Sequence, residues 1–99
     1  MSPQIKYEFS AKMWQHQSPG GWHFVSLPMD LANEIRKNIG WQEEGWGRLK
    51  AMAKIGDNKW QTAIWYDTKK RTYLLPIKAE IRKKEALKTE STINTVIWV

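Results

Sequence analysis

The chain contains no cysteine, which excludes disulfide staples, thiolate nucleophiles and cysteine-ligated zinc. Long apolar runs are missing too. Nothing approaches the ~18–20 consecutive apolar residues of a membrane-spanning helix, and Met1-Ser-Pro-Gln-Ile-Lys6 has no apolar stretch of the signal-peptide kind. A cytoplasmic domain without membrane association is therefore expected. Catalytic frames are equally scarce. The five serines sit in no Gly-x-Ser-x-Gly elbow, and Gly45-Trp-Gly-Arg48, though able to wrap a phosphate, lacks Walker spacing. The two histidines, His16 and His23, flank one turn with no carboxylate near them in sequence, so they read as ordinary polar residues rather than metal ligands. Glu43-Glu44 reads as solvated loop surface, because adjacent loop carboxylates rarely oppose each other as acid–base chemistry requires. No catalytic residue, metal or cofactor is expected.

Tryptophan and positive charge, by contrast, are abundant. Ninety-nine residues with 41% hydrophobic side chains and seven tryptophans suffice for one packed core, and residues 1–99 are expected to form a single domain. The net charge of +6 is unevenly placed: residues 1–50 hold six basic and five acidic side chains, and residues 51–99 hold ten and five. Such a surplus concentrates anions, whether nucleic acid, acidic protein or phosphate ligands, and is equally compatible with a solvated face.

The patterning is mostly that of strands. Ile5, Tyr7, Phe9, Ala11 and Met13 alternate with polar residues, the period of a half-buried strand. Residues 15–21 carry turn chemistry in Pro19 and Gly20-Gly21, and Trp22–Leu27 returns antiparallel. Asp30 is placed to cap a helix whose stripe is Leu31, Ala32, Ile35 and Ile39, with Gly40 as a left-handed stop. After the loop Trp41–Gly47, Arg48–Ile55 and Trp60–Asp67 predict a hairpin. A turn at Asp57-Asn58 pairs Ile55 with Trp60 and Arg48 with Asp67, and puts Trp65 outward beside Lys50. Thr72–Leu75 and Thr92–Val99 are further strands, and Pro76 opens a second helix with Ile77 and Ile81 inward.

One unit occurs twice. Val25-Ser-Leu-Pro28 leads into Glu34-Ile-Arg-Lys37, and Tyr73-Leu-Leu-Pro76 leads into Glu80-Ile-Arg-Lys83. Two strand–Pro–helix–strand halves sharing one core are expected. They would form a small, mainly antiparallel β-barrel of about six strands capped by two short helices.

The order Phe9-Ser-Ala, Trp22-x-Phe-Val-x-Leu-Pro28, Ile55-Gly, then Leu75-Pro-Ile-Lys-Ala-x-Ile-Arg-Lys83 resembles a small bacterial family, the domain-of-unknown-function family nineteen-oh-five. That resemblance implies a double-split, AbrB-like β-barrel, with the internal repeat supplying both halves from one chain, so a monomer is expected rather than a dimer. It also implies a possible partner, because such domains often adjoin a YdeI/OmpD-associated, bacteriocin-protection-type domain. The family brings no catalytic residues. Relatives carry Gly-Leu and then Gly-Asp before the last strand, where this chain has Ala86-Leu87 and Glu90-Ser91, so its turn there must be built differently.

The leading functional expectation is a non-enzymatic binding module for nucleic acid or another polyanion. Its contacts would be Lys69, Lys70, Arg71, Lys78, Arg82, Lys83 and Lys84. The alternatives are a small-molecule or peptide site built on Trp41, Trp46, Arg48 and Trp65, and an interaction with a separately encoded YdeI-like protein.

Overall fold

Alternation becomes six strands. In the computed structural model, which describes residues 5–17 and 20–99, they are β1 (Lys6–Gln15), β2 (His23–Ser26), β3 (Arg48–Ile55), β4 (Asn58–Asp67), β5 (Thr72–Pro76) and β6 (Thr92–Trp98). Helix α1 (Met29–Ile39) follows β2, and α2 (Ala79–Lys84) follows β5. The strands close in the order β1-β2-β5-β4-β3-β6, every neighbouring pair antiparallel. Closure leaves no strand edge to template pairing with another chain. Pro19, part of the expected first turn, lies outside the described residues.

The chain thus runs ββαβ twice. Exchanging β1 with β4, β2 with β5 and β3 with β6 reproduces the same ring of neighbours. The expected pseudo-two-fold is therefore present, with the β2·β5 and β3·β6 pairings on its axis. Leu27 and Leu75 hold equivalent places: Val25 pairs with Leu75, and the Leu27 amide donates to the Tyr73 carbonyl at 3.0 Å. The barrel interior is apolar, centred on Met13, Val25, Ile64, Tyr73, Leu75 and Ile97, while Ile35 of α1 and Ile81 of α2 plug it.

The helix ends differ from expectation. Pro28, not Asp30, occupies the N-cap of α1, and the Asp30 carboxylate accepts only from the neighbouring Leu31 amide at 2.9 Å. Gly40 is right-handed (φ −57°, ψ −28°), so the chain continues into a 3-10 turn, Gly40–Gln42, instead of stopping. Pro76 is still in β5, paired with Phe24, and α2 begins only at Ala79. The end of α2 is a Schellman motif: the Leu87 amide donates to the Arg82 carbonyl at 2.9 Å and the Ala86 amide to Lys83 at 3.3 Å. The left-handed residue that this motif needs is Ala86 (φ 52°), and Glu90 (φ 72°) makes the next such turn.

The hairpin faces are as expected, but its register is shifted by two residues. Ala53 pairs with Trp60, Leu49 with Ile64 and Arg48 with Trp65. The turn is Gly56-Asp57, with Gly56 at φ +58°, the conformation a II′ hairpin asks of its first central residue. A shift of two preserves which side chains point inward. Trp60 is 7% exposed, and the small Ala53 opposite gives its indole room. Arg48 consequently lies not at Asp67 but at Glu44, 2.5 Å from its carboxylate.

Two substitutions test these assignments by chemical denaturation. Trp60→Ala, a large-to-small change in the barrel core, is expected to cost ~3–5 kcal/mol. Ala86→Gly is expected to raise stability by ~0.5–1 kcal/mol, because a Cβ in the left-handed region costs more than glycine's extra unfolded-state entropy. Ala79→Gly, at a right-handed helical residue, should lower it.

Candidate functional site

Inward side chains fill the barrel, so the outward positions of β3 and β4 are left to make a surface. Arg48, Lys50 and Met52 alternate outward on β3, and Lys59, Gln61, Ala63 and Trp65 do so on β4. They line one side of a groove of about 1050 Å³. Gly20, Gly21, Trp22 and His23 line another side, with Lys78, Ala79 and Arg82 at the start of α2, and Trp98 of β6 joins them. Five lining side chains are cationic (Arg48, Lys50, Lys59, Lys78 and Arg82), and none is Asp or Glu.

Cations and indoles are interleaved. The Lys59 ammonium lies 4.4 Å from the Trp98 ring centroid, and the Arg48 guanidinium 5.7 Å from that of Trp65. Such cation–π contacts hold long side chains in place; Arg48 is also paired with Glu44, which does not line the groove. Trp22, 65% exposed, stacks on Phe24 with centroids 6.3 Å apart and planes within 16°. Phe24 packs on Trp14 at 5.1 Å, and Lys70 sits over Trp14 at 4.7 Å. An aromatic run therefore leads from the β4–β5 turn to the rim of the groove.

His23 sits among these cations. Its Nε2 is 3.4 Å from Arg82 Nη1, and its Nδ1 is buried with no hydrogen-bond partner among the described residues. Burial, and then the Arg82 charge, hold its pKa below the ordinary 6.5. The Arg82 guanidinium is oriented by its Nε–H, which donates to the Ile77 carbonyl at 3.3 Å.

Of the expected basic residues, Lys78 and Arg82 line the groove and Lys69, Lys70, Arg71, Lys83 and Lys84 do not. The Lys69 and Lys70 amides instead donate to the Asp67 carboxylate at 2.8 and 2.9 Å, and Arg71 turns the chain at φ 56°. Lys83 and Lys84 are exposed on α2, with Lys84 paired to Glu80 at 2.9 Å. The alternative pocket set divides as well: Arg48 and Trp65 line the groove, whereas Trp41 and Trp46 do not. Those two project at 77% and 94% exposure. Trp22, Lys50, Lys59 and Trp98 also line the groove, outside both expected sets. The signal for Lys50 and Lys59 lay in the outward alternation of the hairpin, which shows direction but not what walls the surface in. Across the first hairpin His23 pairs with Gln15, not with His16.

The sequence profile of a family described as Domain of unknown function (DUF1905) matches residues 9–97. The chain belongs to this family. No curated protein matches it.

A second polar cluster lies away from the groove of this DUF1905 domain. Glu43, expected to be solvated, has a side chain only 13% exposed and pairs with Arg36 at 3.3 Å. It also accepts a hydrogen bond from the Tyr73 hydroxyl. The Arg36 guanidinium lies 3.8 Å from the Tyr66 ring centroid, and Tyr66 meets Tyr73 edge-on at 5.2 Å. Gly47 (φ +70°) comes so near that a Cβ there would lie 3.0 Å from Tyr66. The cluster fastens the end of α1 and the following loop to β4 and β5.

Burial and the Glu43 carboxylate both raise the Tyr73 pKa above 10.0. A group whose folded pKa is raised contributes stability below its unfolded pKa and loses it as pH rises. Unfolded tyrosine deprotonates near pH ~10, so the contribution of Tyr73 should erode above that pH. Denaturation at pH 9 and pH 11 should therefore show a smaller loss for Tyr73→Phe than for the parent.

Proposed function

We propose that this domain is a non-enzymatic binding module for single-stranded nucleic acid, with the groove over β3 and β4 as its site. The observation that carries this reading is a groove lined by five cations, by Trp22, Trp65 and Trp98, and by no acidic side chain. Cations track a phosphate backbone while aromatic rings accept bases of any identity, so such a site binds with little sequence preference. Duplex binding would call for an element projecting into a groove of the nucleic acid, whereas these side chains line a concave surface. Binding rather than catalysis is favoured by His23, whose nearest charged neighbour is Arg82 rather than the carboxylate that would orient and activate a general base.

The groove volume, at the upper end of the range for small-molecule sites, favours a second reading, a single anionic aromatic molecule such as a nucleotide. Oligonucleotide length separates the two. Affinity that grows from one to several nucleotides supports the strand, and affinity already complete with a mononucleotide supports the small ligand.

Fluorescence titration with oligothymidylate and oligouridylate at several salt concentrations tests the proposal. Each phosphate contact on a single strand contributes about −0.7 to the slope of log affinity against log salt. Four or five contacts predict a slope of about −3. Replacing Lys50 and Lys59 by Gln should flatten it by about 1.4, and Lys83→Gln should leave it unchanged. Trp65→Ala should weaken binding by ~1–3 kcal/mol, the range for a stacked base. No binding at low salt by the folded protein would overturn the reading.

A further inference from the structure

Within the groove, we infer that Arg82 and His23 form an anion subsite for a phosphodiester or similar oxyanion, and that the anion enters with a proton taken up by His23. This deepens the nucleic-acid reading by naming the subsite and its regulation, and it rests on the groove being the binding surface.

The geometry sets the Nε2 edge of His23 against a guanidinium that an oxyanion could bridge. Arg82 Nη1 is 3.4 Å from His23 Nε2, and a guanidinium only donates. The neutral imidazole must therefore present Nε2 as the acceptor and carry its proton on Nδ1. That nitrogen is buried and meets no acceptor among the described residues. In the resting arrangement protonation of Nε2 would therefore set the imidazolium directly against the Arg82 charge. An oxyanion beside Arg82 reverses the balance, because it offers an acceptor to a protonated Nε2–H and adds the negative charge that both cations want.

The surroundings supply no competing carboxylate in the groove. On α2 the charged neighbours are Lys78, Lys83, Lys84 and Glu80, and Glu80 lies 3.7 Å from Lys78 and 2.9 Å from Lys84. From β1 the cross-strand partner of His23 is Gln15, and the next residue is His16. Trp22 and its two preceding glycines add no charge, and Arg48, Lys50 and Lys59 face the same groove. Burial first, and then the Arg82 charge, hold the resting pKa of His23 low. Because coupling is reciprocal, a bound anion that raises the affinity of His23 for a proton must itself bind more tightly as pH falls. The effect is confined to the interval between the bound and free pKa values, where affinity changes by up to about tenfold per pH unit.

Two measurements test this and separate it from the parent proposal. In the first, imidazole NMR follows the His23 pKa with sulfate or chloride at equal ionic strength, sulfate being an oxyanion that does not titrate in this range. Sulfate should raise the pKa, and Arg82→Gln should abolish the rise while leaving the fold intact. Arg82→Lys, which keeps the charge but not the fork, should retain part of it. In the second, oligothymidylate affinity is measured between pH 5.5 and pH 8. It should rise on acidification in the parent and stay flat in His23→Gln. A His23 pKa indifferent to sulfate, or a pH slope that survives in His23→Gln, overturns the subsite even if the oligonucleotide binds. If sulfate moves His23 but no oligonucleotide binds, the anion subsite stands and the nucleic-acid reading falls.

Discussion

The four strand pairings that join the halves, β2 to β5, β3 to β6, β3 to β4 and β1 to β6, are the constraint on which the rest of the molecule depends. Each half alone would hold one strand pair, β1–β2 or β4–β5, with β3 or β6 left without a neighbour and an apolar face uncovered. Joined across the pseudo-two-fold, the halves satisfy each other's backbone groups and enclose Val25, Leu75, Ala53 and Ile97 at the seams. Backbone hydrogen bonds contribute modestly one at a time, and an unmade buried one is costly. Closure therefore matters chiefly because it leaves few groups unmade. The same closure assigns each strand side chain to the core or the exterior, and the exterior of the β3–β4 hairpin is where the positive charge lies.

The two halves have kept a common backbone and diverged in surface. The counterpart of the β3–β4 exterior is that of β6 and β1, where a smaller recess of about 460 Å³ is lined by Glu8, Ser10, Lys54 and Asn94 among others. Charges of both signs meet there, and Lys6 pairs with Glu8 at 3.1 Å. The β3–β4 side has cations, indoles and no acid. A purely structural demand for solubility would act alike on both exteriors. The difference between them is what the binding proposal explains, since a site for an anion needs one exterior to be cationic and not the other. The turn before β6 places Ala86 and Glu90 in the left-handed region that glycine adopts most easily.

Much of the fold was legible because alternation and the doubled Leu-Pro…Glu-Ile-Arg-Lys order are properties of the chain itself. The hairpin register was not fully legible. Gly56-Asp57 and Asp57-Asn58 are both plausible turns, and only the positive φ at Gly56 selects the first. Parity survived the error, so Trp60 was placed in the core and Trp65 outside it. The site was legible in direction only. Lys78, Arg82, Arg48 and Trp65 could be picked out by charge and outward register, but two competing sets of residues had to be recombined. The reason is physical: a groove is made where elements distant in sequence converge, here the segment before β2, the start of α2 and the β3–β4 hairpin. Glu43 was missed for the same cause, since its partners Arg36 and Tyr73 reach it from α1 and β5.

The seven tryptophans give the most direct test of where the domain binds. Trp22, Trp65 and Trp98 line the groove, Trp41 and Trp46 stand on the loop after α1, Trp60 is in the core, and Trp14 lies under Lys70. Their indole N–H resonances, assigned and followed during titration with a short oligothymidylate at low salt, report each location separately. The account predicts that Trp22, Trp65 and Trp98 shift together while Trp41 and Trp46 stay in place. Shifts confined to Trp41 and Trp46, or none at all, would contradict it.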